Sequence, residues 1–304
     1  MQTAPTTSIS SEKEKPEKKQ QSPWQLALSR FMKNKLAVVG IIILLLIVIF
    51  SIAAPMLSDF DPNKPDAYNT DAEPDDVHLL GTDEIGRDVL TRLLYGGRIS
   101  LLVGLTSSLM IVVIGGLLGA IAGYYGKWID MIIMRIVDIL LVLPTLLLML
   151  FVVTIMQKTT IWSLILVFGL TAWPVTARLV RGEVLSIRER EFILSAKSIG
   201  CSDFQIIFKH VIPNVLPTII VNATLLMATM ILAEAGLAYL GFGVAPEITP
   251  TWGNMLHSAS NVTVLTDQPW LWIPPGLLVV LTVLSINFIG DGLRDAFDTK
   301  STRR

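Results

Sequence analysis

The residue types that most often carry chemistry are sparse in this chain of 304 residues, and their spacing is unproductive. His78, His210 and His257 fall in three separate connecting segments, so no metal site or proton relay joins them, and each reads as a solvated loop residue. A phosphate-binding loop needs Gly, four residues, then Gly-Lys-Ser/Thr; Gly126-Lys127 is followed by Trp128 and lacks the first glycine. Neither a Gly-x-Ser-x-Gly elbow nor a helical His-Glu-x-x-His is present. The sole cysteine, Cys201, excludes an intrachain disulfide framework and a cysteine-rich metal site, and reads as a small packed residue. These absences point away from catalysis and from ATP hydrolysis by this chain.

The remaining polar candidates lie inside apolar stretches, where a charged side chain costs about 2.5–3.5 kcal/mol at the bilayer centre. Arg135 and Asp138 are three apart, the spacing of neighbours on a helix face, which predicts a mutually neutralising pair. Asp138 is also the one candidate for a buried proton carrier. Glu234 is expected to face a helix interface or a wet cavity rather than lipid. Asn222 and Asn287 complete the intramembrane candidates for packing or for lining a path.

The elements that must position these residues follow from composition. Hydrophobic residues make up 52% of the chain and charged ones 16%, against about 25% charged in a typical soluble domain, and the mean hydropathy is +0.61. Water is therefore not its main solvent. The net charge of −1 and the dispersal of basic residues leave no nucleic-acid footprint. Six stretches, at 36–57, 99–123, 129–156, 160–180, 216–240 and 273–289, are long enough to cross a core about 30 Å thick. Lipid offers no partners for open backbone, so the expected fold is all-α, a polytopic membrane protein with about six spans.

Domain organisation follows the same pattern. Residues 1–35 form a cytosolic N-terminal segment whose polar head lacks the composition to fold, 36–298 the membrane domain, and 299–304 a short tail. Lys13, Lys15, Lys18 and Lys19 precede an uncharged run too long for a cleaved signal, so the first span is read as retained. With the N-terminus in the cytosol, all but five of the 24 Lys and Arg residues fall on the inner side. The exceptions are Lys64, Arg87, Arg92, Arg98 and Lys158. Both termini are thus expected in the cytosol.

Two connecting segments carry more pattern than a plain loop. In the outer one, 58–98, turn residues lead into an expected interfacial helix from Asp83 to Tyr95. There Ile85, Val89 and Leu93 share one face, with Asp88–Arg92 and Glu84–Arg87 pairs on the other. In the inner one, 181–214, a helix is predicted to end at Gly200, and Ser202 with Gln205 spells a capping box for a second short helix stopping before Pro213. Its surface mixes Lys197, Ser198, Asp203, Lys209 and His210 with Phe204 and Phe208. That mixture fits docking to another protein, and a helix lying on lipid headgroups fits it too. Gly115, Gly119 and Gly123, four apart, predict close helix packing. Pro144, Pro174 and Pro217 are candidate kinks.

The inner segment resembles the cytosolic loop of permeases from binding-protein-dependent ATP-binding-cassette importers, whose pattern is Glu-Ala-Ala, three residues, Gly, and later Pro. Ala196, Gly200 and Pro213 match; Leu194 stands where that family has Glu and Ser195 where it has the first Ala, so the contact made by that Glu is not carried over. Further stretches resemble the dipeptide, oligopeptide and nickel branch, in its second, C-type permease. They include Leu80-Gly81-Thr82-Asp83 with Gly86-Arg87-Asp88, Tyr239-Leu240-Gly241-Phe242-Gly243 with Trp252-Gly253, and the run from Asn287 to Asp295.

The resemblance implies a type I importer permease fold and a bacterial or archaeal cytoplasmic membrane. It implies as partners a second homologous permease, two ATPase subunits that hold ATP and Mg2+, an extracytoplasmic solute-binding protein and membrane lipid. It implies no cofactor on this chain and a coupling loop comprising Ser195, Ala196, Gly200, Cys201, Ser202, Asp203, Phe204, Gln205, Phe208 and Pro213. The expected solutes are di- and oligopeptides, with nickel chelates or another small solute as alternatives; an ion-driven secondary carrier is the alternative from a different class.

Overall fold

The computed structural model describes residues 23–156 and 159–298, and the expectations for the N-terminal head, Lys158 and the tail 299–304 lie outside them. Within the described residues every regular element is a helix. Helix α1 (Pro23–Phe31) precedes the first long apolar helix, α2 (Lys35–Ile52), with a single turn α3 (Ala54–Leu57) behind it. Then come α4 (Val89–Tyr125), the pair α5 (Lys127–Val142) and α6 (Thr145–Ile155), and α7 (Ile161–Ile187). Short helices α8 (Glu191–Ser198) and α9 (Asp203–Ile206) lead through a π turn (Ile207–Val211) into α10 (Ile212–Tyr239). Helices α11 (Trp252–His257) and α12 (Val262–Asp267) precede the last long helix, α13 (Pro269–Phe297).

Five helices are long and apolar enough to cross a membrane, and the α5–α6 pair, bent by 90°, brings the number to six if it is one broken span and not a re-entrant loop. The third span is therefore not the single helix expected over 129–156. Leu143 is extended (φ −82°, ψ 132°) because a residue before proline is pushed out of the helical region, and Pro144 starts the next helix. Pro174 and Pro217, by contrast, lie inside continuous helices. The segment ahead of Leu36, expected without fixed structure, includes α1. Its Ala27 and Phe31 pack with Ala37 of α2 and Ala296 of α13.

The bundle is held at its centre by α4 against α7. A Cβ on Gly115, Gly119 or Gly123 would lie within 3 Å of the α7 backbone or of the Thr176 and Val184 side chains, so only glycine permits this approach. The expected packing stripe is present, and it joins these two helices. Around it, Val103, Ile111, Leu164, Val167, Phe168 and Leu237 form the main core, with a second cluster of α2, α4, α10, α11 and α13 that includes Ile231 and Trp252.

At one end of the bundle the loop between α3 and α4 folds onto α10 and α11. The interfacial helix expected from Asp83 does not form. Asp88 instead caps α4, its Oδ1 accepting from the Thr91 N–H (2.7 Å) and hydroxyl (2.6 Å), and the helix starts at Val89. The pairs Asp88–Arg92 and Glu84–Arg87 are replaced. Asp83 takes Arg87 Nε at 2.7 Å and Arg92 Nε at 3.7 Å, and both guanidinium groups donate to the Pro246 carbonyl (3.1 Å each). His78, expected to be solvated, is buried, and its Nδ1 donates to Asp88 Oδ2 (2.9 Å). In the same loop the backbone N–H groups of His78 and Val77 hold the Asp75 carboxyl below the usual carboxylate range. Its contribution to folding persists at neutral pH and fades as the pH falls through that lowered value.

The other end carries α1, the turn between α4 and α5, the α8–α9 hairpin and the end of α13 at Asp298, so both described termini sit with the hairpin.

Four substitutions test this account. Gly119→Ala, whose Cβ would lie 2.4 Å from the Ala177 carbonyl, should lower the thermal midpoint of the purified protein, at a cost of about 1–3 kcal/mol. Gly116→Ala, with nothing nearer than 3.9 Å, should leave the midpoint within a degree or two. Asp88→Ala should cost at least the roughly 1 kcal/mol of a lost N-cap, and Asp88→Asn less, when both are compared in the same thermal assay.

Candidate functional site

The candidate site is the α8–α9 hairpin at the end of α7. Helix α8 starts after Arg190 and buries Ile193 and Ala196, three apart on one face, while Leu194 and Ser195 point to solvent. It ends at Gly200, whose φ of +83° is the left-handed conformation that closes a helix. No atom lies within 4 Å of a Cβ built there, so the glycine is needed for its backbone angle and not for space. The predicted capping box is complete. Ser202 Oγ accepts from the Gln205 N–H (3.3 Å), and Gln205 Oε1 accepts from the Ser202 N–H (3.2 Å).

The second arm does not stop before Pro213, as the sequence suggested. It widens into a π turn, then runs on as α10, so that 203–239 forms one continuous helical rod. Pro213 removes a backbone donor at the join, and Asn214 Nδ2 donates to the His210 carbonyl (2.6 Å). Pro213 itself is exposed in the first turn of α10.

Ile193, Ala196, Ile206 and Val211 pack against Ala120 of α4 and Val180, Val184 and Ile187 of α7, with the partly buried Cys201 against the same cluster. Each buried aliphatic side chain contributes about 1.5–3 kcal/mol. Two polar ties reinforce the seat: Tyr124 Oη donates to Asp203 Oδ1 (2.6 Å), and Arg188 Nη1 donates to the Gly123 carbonyl (3.0 Å). Spacing gave no sign of Tyr124 or Arg188, because nothing local to either residue reveals which segment lies opposite. Between them, Ile193, Leu194, Lys197 and Asp203 open a cleft of about 370 Å³. The outward side of the hairpin carries large apolar residues among its polar ones. Ile199 is 81% exposed and Phe204 69%, and the Phe204 and Phe208 rings stack with centroids 4.4 Å apart.

The intramembrane candidates do not join this site. Arg135 and Asp138 do not pair with each other: Asp138 Oδ1 takes Arg178 Nη2 of α7 at 2.6 Å, and Arg135 is exposed with no partner among the described residues. The cross-helix pairing prevails because α7 presents its guanidinium directly opposite α5. One to two turns away, Arg181 pairs with Asp130 in the same manner. Asn222 Nδ2 donates to Thr176 Oγ1 (3.0 Å), and Asn287 lies half-buried on α13. Glu234 is fully buried between helices, as expected, and accepts from Ser100 Oγ (3.1 Å), which in turn accepts from the Trp252 N–H (3.1 Å).

The chain is similar to known proteins along most of its length. Residues 115–303 match the family described as binding-protein-dependent transport system inner membrane component, and residues 22–75 match the N-terminal TM domain of oligopeptide transport permease C. A putative peptide permease protein of Brucella suis is 41% identical over 279 residues, 92% of either chain. The dipeptide transport system permease protein DppC of Alkalihalophilus pseudofirmus is 42% identical over 92% of this chain and 90% of its own. The oligopeptide transport system permease protein OppC of Bacillus subtilis is 38% identical over 97% and 96%. A chain of the MetNI methionine ABC transporter, in inward-facing conformations, shares the fold with a TM-score of 0.53 at 22% identity, covering 67% of this chain and 95% of its own. Matched along nearly its whole length, the chain belongs to the family of binding-protein-dependent transport system inner membrane components, as a permease subunit of an ATP-binding-cassette importer.

Proposed function

We propose that this chain is the C-type permease of a peptide importer and that the α8–α9 hairpin is where an ATPase subunit grips it. One observation carries the assignment: a hairpin seated on α4 and α7 presents Phe204 and Phe208 outward, and its second arm is continuous with α10. A push delivered at Phe204 is therefore transmitted along a helical rod instead of being lost in a loop. In this reading the hairpin end and both termini face the cytosol, and two ATPases hold ATP and Mg2+ beneath this chain and a second, homologous permease. A solute-binding protein meets the opposite end, where the 58–88 loop is fastened. Peptides are the solutes named for the relatives, which supports them as the cargo here.

The test is the complex assembled with its partner subunits in proteoliposomes. Phe204→Ala with Phe208→Ala removes the stacked aromatic pair. Loss of central interface aromatics costs about 2 kcal/mol or more, so ATPase co-purification and dipeptide uptake should each fall at least tenfold while membrane insertion is retained. Uptake at the wild-type rate would refute the hairpin assignment. Orientation has a separate readout: Tyr68→Cys, at a position 98% exposed on the opposite end, should react with a membrane-impermeant thiol reagent in intact cells. Reaction confined to inverted vesicles would reverse the proposed topology.

A further inference from the structure

Charged side chains left open along apolar membrane helices are the least explained feature of the molecule. Asp138 lies eleven residues into α5, about 16 Å from the hairpin end, and Arg178 nine residues from the end of α7, about 13 Å. Both therefore lie two to three turns along the helices from the hairpin, within the apolar stretches 129–156 and 160–180. Their side chains are nevertheless 52% and 54% exposed. Arg135 is exposed on the same face of α5, since Met131, Arg135, Asp138 and Val142 follow one another at intervals of four, three and four. On α7, Val175, Arg178 and Gly182 continue an exposed strip beside it. Lipid cannot cover such a face, because hydrocarbon neither solvates ions nor supplies hydrogen bonds. The buried sides of the same helices, through Val137, Thr176, Ala177 and Val180, are already packed inside the subunit.

We infer that this α5–α7 face is the water-filled wall of the solute path and that Arg135 and Arg178 take the free carboxylate of a passing peptide. The inference rests on the reading of the chain as a peptide permease. Two guanidinium groups against one carboxylate leave the station with an excess positive charge. Arg178 spends one nitrogen on Asp138, Arg135 spends none among the described residues, and a planar guanidinium matches a carboxylate in a bidentate geometry. The ammonium end of the same peptide meets Asp138 as the Arg178 pair loosens. The 90° corner at Leu143-Pro144 lies just beyond, with Val142, Leu143 and Leu147 exposed on it, and supplies apolar surface for side chains.

The experiment uses the full complex, with its ATPases, second permease and binding protein, in lipid vesicles. In the Val142→Cys variant, which keeps both arginines, a water-soluble sulfonatoethyl methanethiosulfonate should modify the thiol at position 142. Peptide mass mapping would separate that adduct from modification of Cys201. Saturating alanyl-alanine should slow the reaction at least fivefold. Arg135→Gln should reduce alanyl-alanine uptake at least tenfold while ATPase co-purification and basal ATP hydrolysis stay within twofold. The neutral pair, Asp138→Asn with Arg178→Gln, can keep a hydrogen bond between the helices but removes one guanidinium and the carboxylate, so a purely structural contact would keep uptake and a solute-reading one would lose it at least tenfold. An inert thiol at position 142, or full uptake by the Arg135→Gln variant or the neutral pair, would overturn the inference. Failure of the wild-type complex to import any peptide would instead refute the peptide assignment.

Discussion

The close approach of α4 and α7 is the contact on which the remaining architecture rests. Without a hydrophobic driving force between helices in lipid, association relies on dispersion and shape, and both require the backbones to come near. The stripe of Gly115, Gly119 and Gly123 brings α4 onto Trp173, Thr176, Ala177 and Val184 of α7. That contact places Tyr124 and the Gly123 carbonyl under the hairpin, where Asp203 and Arg188 bind them. It also leaves the opposite side of α7 open, with Arg178 facing α5.

From this keel the two ends of the molecule are built differently. At the end away from the hairpin, irregular backbone is tied down by buried charges and indole. Arg87 and Arg92 converge on Asp83 and Pro246, and Trp252 reaches the Leu93 carbonyl and Ser100. Such a set of directional contacts makes a stiff cap. The hairpin end is bound by a modest apolar seat and a few polar ties, and it passes directly into α10. The proposed coupling role depends on this arrangement, in which a push at the hairpin would be carried along a continuous helical rod.

Much of this was legible in the residues because it depends on local chemistry. Span lengths follow from hydrocarbon thickness, the glycine stripe from steric reach, the Ser202–Gln205 box from one turn of helix, and the turn at Gly200 from its freedom at positive φ. The family was legible too, since its motifs occur in order along the chain.

What tertiary structure alone decided is partner choice among groups that sequence places equally well. Asp138 could pair with Arg135 on its own helix, yet α7 delivers Arg178 to it. Asp88 could begin a salt-bridged helix face, yet burial against His78 makes it a cap and moves the start of α4 to Val89. The second arm of the hairpin could end before Pro213, yet it passes through a π turn and continues as α10. In each case the local alternatives differ by about 1 kcal/mol or less, whereas burial against a distant helix is worth more, so the choice passes to the segments that meet only once the bundle has formed.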